Sequence, residues 1–316
     1  MAKVPGSGYH LPVLMRPVEE ALDVRPDGVY VDGTAGGGGH SFAIASKLKS
    51  GRLYALDQDP DAIAAASKRL EGLPATVIQT NFVHMSEVLA ERGVTKVDGI
   101  LLDIGVSSHQ LDDAARGFSF HEDAPLDMRM SQSGQTAADL CNTLSEEALA
   151  DIFFRYGEEK FARRIAAAIV RERASSPLET TLQLSELIKA SVPAAARREK
   201  HPARRVFQAL RIAVNDELGC LSSALDTAFD LLDVGGRLAI ITFHSLEDRM
   251  VKTRFNEWRQ GCVCPPESPI CTCGRTPAAE AVTRKPVKAD AEELALNPRS
   301  RSAVLRCVEK VHERYI

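Results

Sequence analysis

The stretch Val29-Tyr30-Val31-Asp32-Gly33-Thr34-Ala35-Gly36-Gly37-Gly38-Gly39-His40-Ser41 constrains this chain more than any other. A β-branched and aromatic run leads into an acid, then into consecutive glycines, then into a helical pattern. That order predicts a strand, a tight turn and a helix start. Glycine lets main-chain N–H groups approach a ligand with no Cβ in the way. The first turn of a helix adds unpaired N–H donors and partial positive charge. Together they describe a cradle for a nucleotide or nucleoside. The dinucleotide fingerprint G-x-G-x-x-G is not met, because Ser41 stands where its third glycine belongs. A Gly-Lys-Ser/Thr phosphate loop is also missing. The ligand is therefore read as a nucleoside without a pyrophosphate, which argues against a nicotinamide dehydrogenase.

Strand and helix patterns alternate from there, which predicts an α/β fold with a doubly wound parallel sheet. Strands are expected at Val29–Asp32, Arg52–Leu56, Ala75–Thr80 and Val97–Leu102, with an amphipathic helix around Val13–Leu22 before them. Asp59-Pro60-Asp61 is a helix-start signal. Ligands of such sheets sit beyond the carboxyl ends of the strands. Asp32, Asp57, Phe82 and Asp103 all fall at those ends. Asp57 lies where a carboxylate accepts from ribose hydroxyls. Phe82 either packs on an adenine face or is simply core. Asp103 is placed to meet cofactor, substrate or both.

After Asp103 the alternation stops. Residues 104–130 show no period, yet their aromatic and methionine content argues against disorder. Residues from about 136 to 200 read as wholly helical, with apolar stripes such as Phe161, Ile165, Ala168 and Ile169. Between Asp151 and Asn215 there are thirteen basic and seven acidic residues, in a chain whose net charge is −4. Any polyanion contact must therefore be a local patch, and a solvated helix face explains the same charges. A long helix is expected from about His201 to Leu232, then a buried strand at Arg237–Phe243. Ser245 with Asp248 resembles a helix cap. His244 is either substrate-facing or structural, and His10 stands in an N-terminal arm. A last strand is expected at Ala303–Val308. Arg299, Arg301 and Arg306 nearby meet either phosphates or solvent.

Seven cysteines are an odd count, which argues against a fully paired disulfide framework. Four of them form Cys262-Val263-Cys264 and Cys271-Thr272-Cys273. They read either as a small zinc knuckle or as free thiols, and no metal site is assigned from the sequence. No apolar run approaches a membrane span. The N-terminal residues lack the apolar core of a signal peptide, so the expected location is cytoplasmic.

Several motifs are specific in combination: Tyr30-Val31-Asp32-Gly33-Thr34 with Gly38-Gly39-His40-Ser41, Leu56-Asp57-Gln58-Asp59-Pro60, Asp98-Gly99-Ile100-Leu101-Leu102-Asp103, Arg116-Gly117-Phe118-Ser119-Phe120, Pro125-Leu126-Asp127-Met128-Arg129-Met130, Phe207-Gln208-Ala209-Leu210-Arg211 and Phe243-His244-Ser245-Leu246-Glu247-Asp248-Arg249. With these motifs, nearly the whole chain resembles the bacterial MraW family of 16S rRNA cytosine-N4 methyltransferases. The resemblance implies a class I, Rossmann-like methyltransferase fold with an inserted helical domain. The implied boundaries are 1–112 and 204–316 for the methyltransferase domain and 113–203 for the insertion. It also implies S-adenosyl-L-methionine as methyl donor and 16S rRNA within the small ribosomal subunit as partner, and it leaves a homodimer open. The cofactor residues it implies are Gly38, Gly39, His40, Asp57, Phe82, Asp103 and Gln110, with Asp103 also catalytic. The acceptor base would be unstacked, with Phe118 or Phe120 as candidates to stack on it. One departure from the family pattern is His109, where proline is common. The Asp/Ser-Pro-Pro-Tyr signature of DNA cytosine-N4 methylation is missing.

Overall fold

The computed structural model describes residues 12–194, 201–265, 267 and 269–313. His10, named above, and Arg197, Arg198 and Lys200, three of the thirteen basic residues counted above, lie outside the described residues. In chain order the first elements are α1 Met15–Leu22, β1 Val29–Asp32, α2 Gly39–Ala45, β2 Arg52–Asp57, α3 Pro60–Arg69, β3 Ala75–Gln79, α4 Met85–Ala90 and β4 Val97–Asp103. Next come α5 Ser108–Asp112, α6 Ala137–Thr143, α7 Glu146–Gly157, α8 Ala162–Arg173, α9 Thr181–Ser191 and α10 Ala203–Asn215. The chain ends with α11 Glu217–Leu231, β5 Leu232–Thr242, α12 Ser245–Arg259, β6 Ala279–Ala281, α13 Ala291–Leu296 and β7 Val304–Lys310.

The strands form one 7-stranded sheet in the order β3-β2-β1-β4-β5-β7-β6. The pairs from β3 across to β5 are parallel, and β7 runs antiparallel to both β5 and β6. The strand order reverses between β1 and β4, so their carboxyl ends flank the switch point where such sheets bind ligands. Strand alternation sends successive side chains to opposite faces. Ile100 and Leu102 accordingly join one buried cluster with Val31, Leu56 and Ile240. Leu101 joins the other with Tyr30, Leu53 and Ile241. Burial on both faces explains why these strands read as continuous apolar runs.

Two compact units divide the chain. One holds the residues up to Gly105 and from Gly219 onward, and the other is Val106–Leu218. The second is wider than the 113–203 read from the sequence. Val206, Phe207, Ala209 and Leu210 of α10 are part of its apolar core, together with Phe153 and Ile165. This unit is helical, as expected, and its helices start on chosen caps. Thr136 and Thr180 each accept the N–H three residues on, while Asp139 and Gln183 return the bond.

One expectation is corrected and one element is added. The long helix from 201 to 232 is two helices, because Asp216 adopts a left-handed conformation (φ 45°) and ends α10. Arg211 braces that break, with Nε and Nη2 donating to the two Glu217 carboxylate oxygens at 2.7 and 2.8 Å. The short strand β6 was not foreseen; three residues of Ala-Glu-Ala carry no strand signal.

The aperiodic stretch after β4 is ordered by hydrogen bonds rather than by repeats. Arg116 is buried and its Nη2 donates to the carbonyls of Arg129 (2.9 Å) and Met130 (3.0 Å). The Met128 N–H donates back to the Arg116 carbonyl, and Asn215 bridges Met128 and Met130. Removing a buried cation leaves those carbonyls without a donor and a hole beside Phe118. Arg116→Ala is expected to cost the helical unit roughly 2–4 kcal/mol. Denaturant unfolding monitored by circular dichroism reads this directly.

Candidate functional site

At the end of β1 the Asp32 side chain is almost fully buried. Its Oδ1 accepts from the Thr34 N–H (3.1 Å) and its Oδ2 from the Ser41 hydroxyl (2.6 Å). One carboxylate thus ties the strand tip to the turn and to the first turn of α2. Burial raises this carboxyl to about 6, opposed by the Ser41 and Thr34 hydrogen bonds. Thr34 passes the connection on, since its hydroxyl oxygen accepts from the Asp103 N–H at 2.6 Å. Asp32, placed at a ligand-side strand end by the sequence, therefore builds the turn together with Thr34 and Ser41, which were not singled out. Their signal was present as an acid, a hydroxyl two residues on and another at the helix start.

The glycines are required by close packing. Gly38 has φ +75°, and a Cβ there would come within 3.2 Å of the Ala66 Cα on α3. A Cβ on Gly39 would sit 2.2 Å from the Pro12 ring. Gly38 takes the N-cap position of α2 with no side-chain cap, so the first-turn N–H groups of that helix have no side-chain acceptor from its cap. Arg69 holds the outer side of the turn through the Gly37 carbonyl (3.0 Å).

Asp57 closes the turn from β2. Its Oδ2 accepts from the Gly36 N–H (2.8 Å) and its Oδ1 from the Asp59 N–H (2.9 Å). The Gln58 main chain also favours its charged form, and a carboxylate with about four acceptor sites still has capacity for a further donor. Burial raises this carboxyl to about 6. Phe82 opens the turn after β3; it is half-buried and packs by one side on the sheet core. This packing meets the core reading in part.

Asp103 ends β4. Burial, with the Asp32 and Glu247 carboxylates nearby, raises its carboxyl to about 8. Its Oδ1 is buried without a hydrogen-bond partner among the described residues. His40 lies opposite, with Nε2 3.9 Å from the Asp103 Oδ2. Burial lowers this imidazole to about 4, so it is neutral at ordinary pH. Neither ring nitrogen makes a hydrogen bond of normal geometry among the described residues. A carboxyl with an unpartnered buried oxygen, facing a neutral imidazole at a strand tip, is a candidate functional group.

The other residues named from the sequence are placed differently. Gln110 belongs to the helical unit, where its Oε1 accepts from the Ser107 N–H (2.9 Å) and closes the capping box of α5. Phe118 is buried in the core of that unit, so it has no free face for a base. Phe120 is stacked on His201, with ring centroids 4.6 Å apart. The cap of α12 is not Ser245 with Asp248. Its N-cap is His244, and Oε2 of the buried Glu247 accepts from the Phe243 and His244 N–H groups. His244 Nε2 lies 2.8 Å from Glu247 Oε1, but neither atom makes a hydrogen bond of normal geometry among the described residues. Asp248 instead takes Arg306 in two bonds of 2.7 and 3.0 Å, which commits that arginine internally.

Sheet order, acid-tipped strands and a glycine turn at the switch point define a class I, Rossmann-like methyltransferase fold with a helical insertion after β4. The chain belongs to the MraW methylase family, whose profile matches residues 7–311. It is 55% identical over 309 residues to the ribosomal RNA small subunit methyltransferase H of Heliobacterium modesticaldum, covering 96% of this chain and 99% of that protein. The protein of the same name from Symbiobacterium thermophilum is 55% identical over 308 residues, covering 96% and 97%. Among solved structures, an rRNA methylase from Streptococcus thermophilus aligns over 99% of both chains with 12% identity and a TM-score of 0.43.

The raised carboxyls set a pH dependence. An acid whose folded value lies above its unfolded one favours folding below the unfolded value and loses that contribution as pH rises through the folded one. For Asp103 the window runs from about 4 to about 8. Relative to wild type, Asp103→Asn is therefore expected to gain stability as pH rises from 5 to 9. Paired denaturant melts across that range check it, and a constant difference between the two proteins would contradict it.

Proposed function

We propose that this protein transfers a methyl group from S-adenosylmethionine to the exocyclic N4 of a cytosine in the decoding region of 16S rRNA. The observation that carries the reading is Asp103, a carboxyl with an unpartnered buried oxygen at the switch point, beside the glycine turn. Membership of a methylase family and relatives named ribosomal RNA small subunit methyltransferase H support it.

The residues present suit an adenosyl group. Asp57 has lone pairs left for ribose hydroxyls, Phe82 offers a half-exposed ring for a purine face, and the main chain around Gly38, Gly39 and His40 lines the turn. Gln110 is added by the family motif alone. When bound, the cofactor supplies an electrophilic methyl carbon.

The rest falls to the protein. The N4 lone pair of cytosine is delocalised into the ring, which makes it a poor nucleophile. A carboxylate accepting one amine hydrogen favours a pyramidal nitrogen with its lone pair free. Asp103 supplies that acceptor, and the Ile104 carbonyl beside it can hold the second hydrogen. Orientation at near-attack distance provides much of the rate. Once N4 carries the methyl group, its surplus proton would pass to the Asp103 carboxylate. With its carboxyl raised to about 8, Asp103 is largely protonated near neutral pH in the free protein; positive charge entering the site favours its ionised form, which then accepts the amine hydrogen. His40 stays neutral opposite it and adds no competing charge.

The RNA is held by its phosphates. In α8 one face is buried through Ala162, Ile165, Ala166 and Ile169. Arg163, Arg164 and Arg171 are exposed on the remainder, with Lys160 just before the helix. By contrast, Arg173 donates to the Cys141 carbonyl and Arg205 to that of Glu158, so the excess positive charge is only partly free.

Labelled methyl transfer to small subunits from cells lacking this protein, followed by mass mapping, tests the reading. The label is expected on a cytosine N4, and a methyl group on a ring carbon or on the ribose would refute it. Asp103→Asn is expected to lower the rate at least about a hundredfold with the circular dichroism spectrum unchanged. Replacing Arg163, Arg164 and Arg171 together by alanine should weaken RNA binding and reduce the salt slope by about 2–3. Cofactor affinity measured by calorimetry should stay the same.

A further inference from the structure

Four thiols lie apart from everything described so far. Cys262 Sγ is 3.4 Å from Cys271 Sγ, Cys271 Sγ is 3.5 Å from Cys273 Sγ, and Cys273 Sγ is 3.7 Å from Cys262 Sγ. The Cys264 Sγ completes the group, with all four sulfurs within 4.8 Å of one another. We propose that Cys262, Cys264, Cys271 and Cys273 form a tetrathiolate site that binds one structural zinc ion.

The spacing argues for a metal. Zinc–thiolate bonds of about 2.3 Å at the tetrahedral angle put neighbouring sulfurs about 3.8 Å apart. Cys262, Cys271 and Cys273 form a nearly equilateral triangle, one face of such a tetrahedron. Two disulfides would give two short pairs and longer distances between pairs, not three similar edges. None of the seven cysteines is joined in a disulfide. The other three do not join the group: Cys141 and Cys307 are buried, and Cys220 is half-buried elsewhere.

The surroundings suit thiolates. The Cys264 N–H donates to the Cys262 sulfur and the Thr272 N–H to the Cys264 sulfur, each at 3.4 Å. Main-chain donors to sulfur stabilise its negative charge and orient it toward a metal. The C-x-C spacing, shorter than the common C-x-x-C, is offset by pairing across two arms of the loop. Each arm contributes two sulfurs to the same point.

The loop also has little else to order it. Val263 is 48% and Ile270 74% exposed, so neither side chain is packed into an apolar core. The neck is closed by the Ala278 N–H donating to the Trp258 carbonyl (2.8 Å) and by Gly261 against Pro277. Four protein sulfurs fill a tetrahedron and leave no open position, which makes the site structural rather than catalytic. Its role is to fix the excursion between α12 and β6.

The test uses the full chain purified with reductant. Elemental analysis is expected to give one zinc per chain. Cobalt(II) added to the chelator-stripped protein should give thiolate-to-metal charge transfer and the visible bands of tetrahedral geometry. Cys264→Ser and Cys271→Ser should each abolish both signals, while Cys220→Ser keeps them. Zinc at tenfold its dissociation constant should slow tryptic cleavage after Arg259 and Arg275 about tenfold. Reduced wild-type protein that takes up neither metal, with all four thiols open to titration, would overturn the proposal. So would two disulfides in this segment in the protein as purified. If a serine variant loses its fold, the cobalt spectrum of the wild type decides alone.

Discussion

The Asp32 carboxylate is the interaction on which the candidate site depends. It sits where the backbone must reverse out of β1, and it supplies acceptors to the turn and to α2 at once. Burying a carboxyl is unfavourable, and here the cost is met by two hydrogen bonds rather than by a cation. Thr34, fixed by that contact, then anchors the Asp103 main chain, while Asp57 anchors Gly36 from the opposite strand. The three acids differ in what they have left over. Asp32 is used up as structure, Asp57 is half used, and Asp103 retains an oxygen with no partner among the described residues. That gradient separates the residue that builds the turn from the one available for chemistry.

Electrostatics follow from the same arrangement. Among the described residues no arginine or lysine hydrogen-bonds to these three carboxyls, and burial raises each of them. A ligand carrying positive charge would reverse that direction. Elsewhere the acids behave in the usual way. Asp127, held by Arg129 in bonds of 2.9 and 2.7 Å, is lowered. The contrast marks the strand tips as a place where charge has been left uncompensated.

Much of this was legible in the sequence, for identifiable reasons. The parallel strands announce themselves because both faces are buried and the residues are β-branched or apolar throughout. The acids at their ends are visible because each strand runs straight into one. What escaped is set by contacts distant in sequence or by single backbone angles. The left-handed Asp216 splits a helix whose apolar pattern runs on without interruption. The capping role of Glu247 was hidden by a serine and an aspartate that fit the same motif. Phe118 looked available because its neighbours are polar, but Arg116 and the helices beyond it bury that ring. The Cys-x-Cys pairs were ambiguous because only the fold of the loop brings the two arms together.

The pairing of β4 with β5 bears on how the chain is made. Val97 is matched to Leu232, with the whole helical unit encoded between them. During synthesis β4 emerges long before its neighbour, leaving one of its edges open. The intervening helices close mostly local contacts and have their own core, so they can form first. Completion of the sheet then waits for the last third of the polypeptide. Translation pauses or truncations within that interval would leave a folded helical body attached to an unfinished, aggregation-prone sheet.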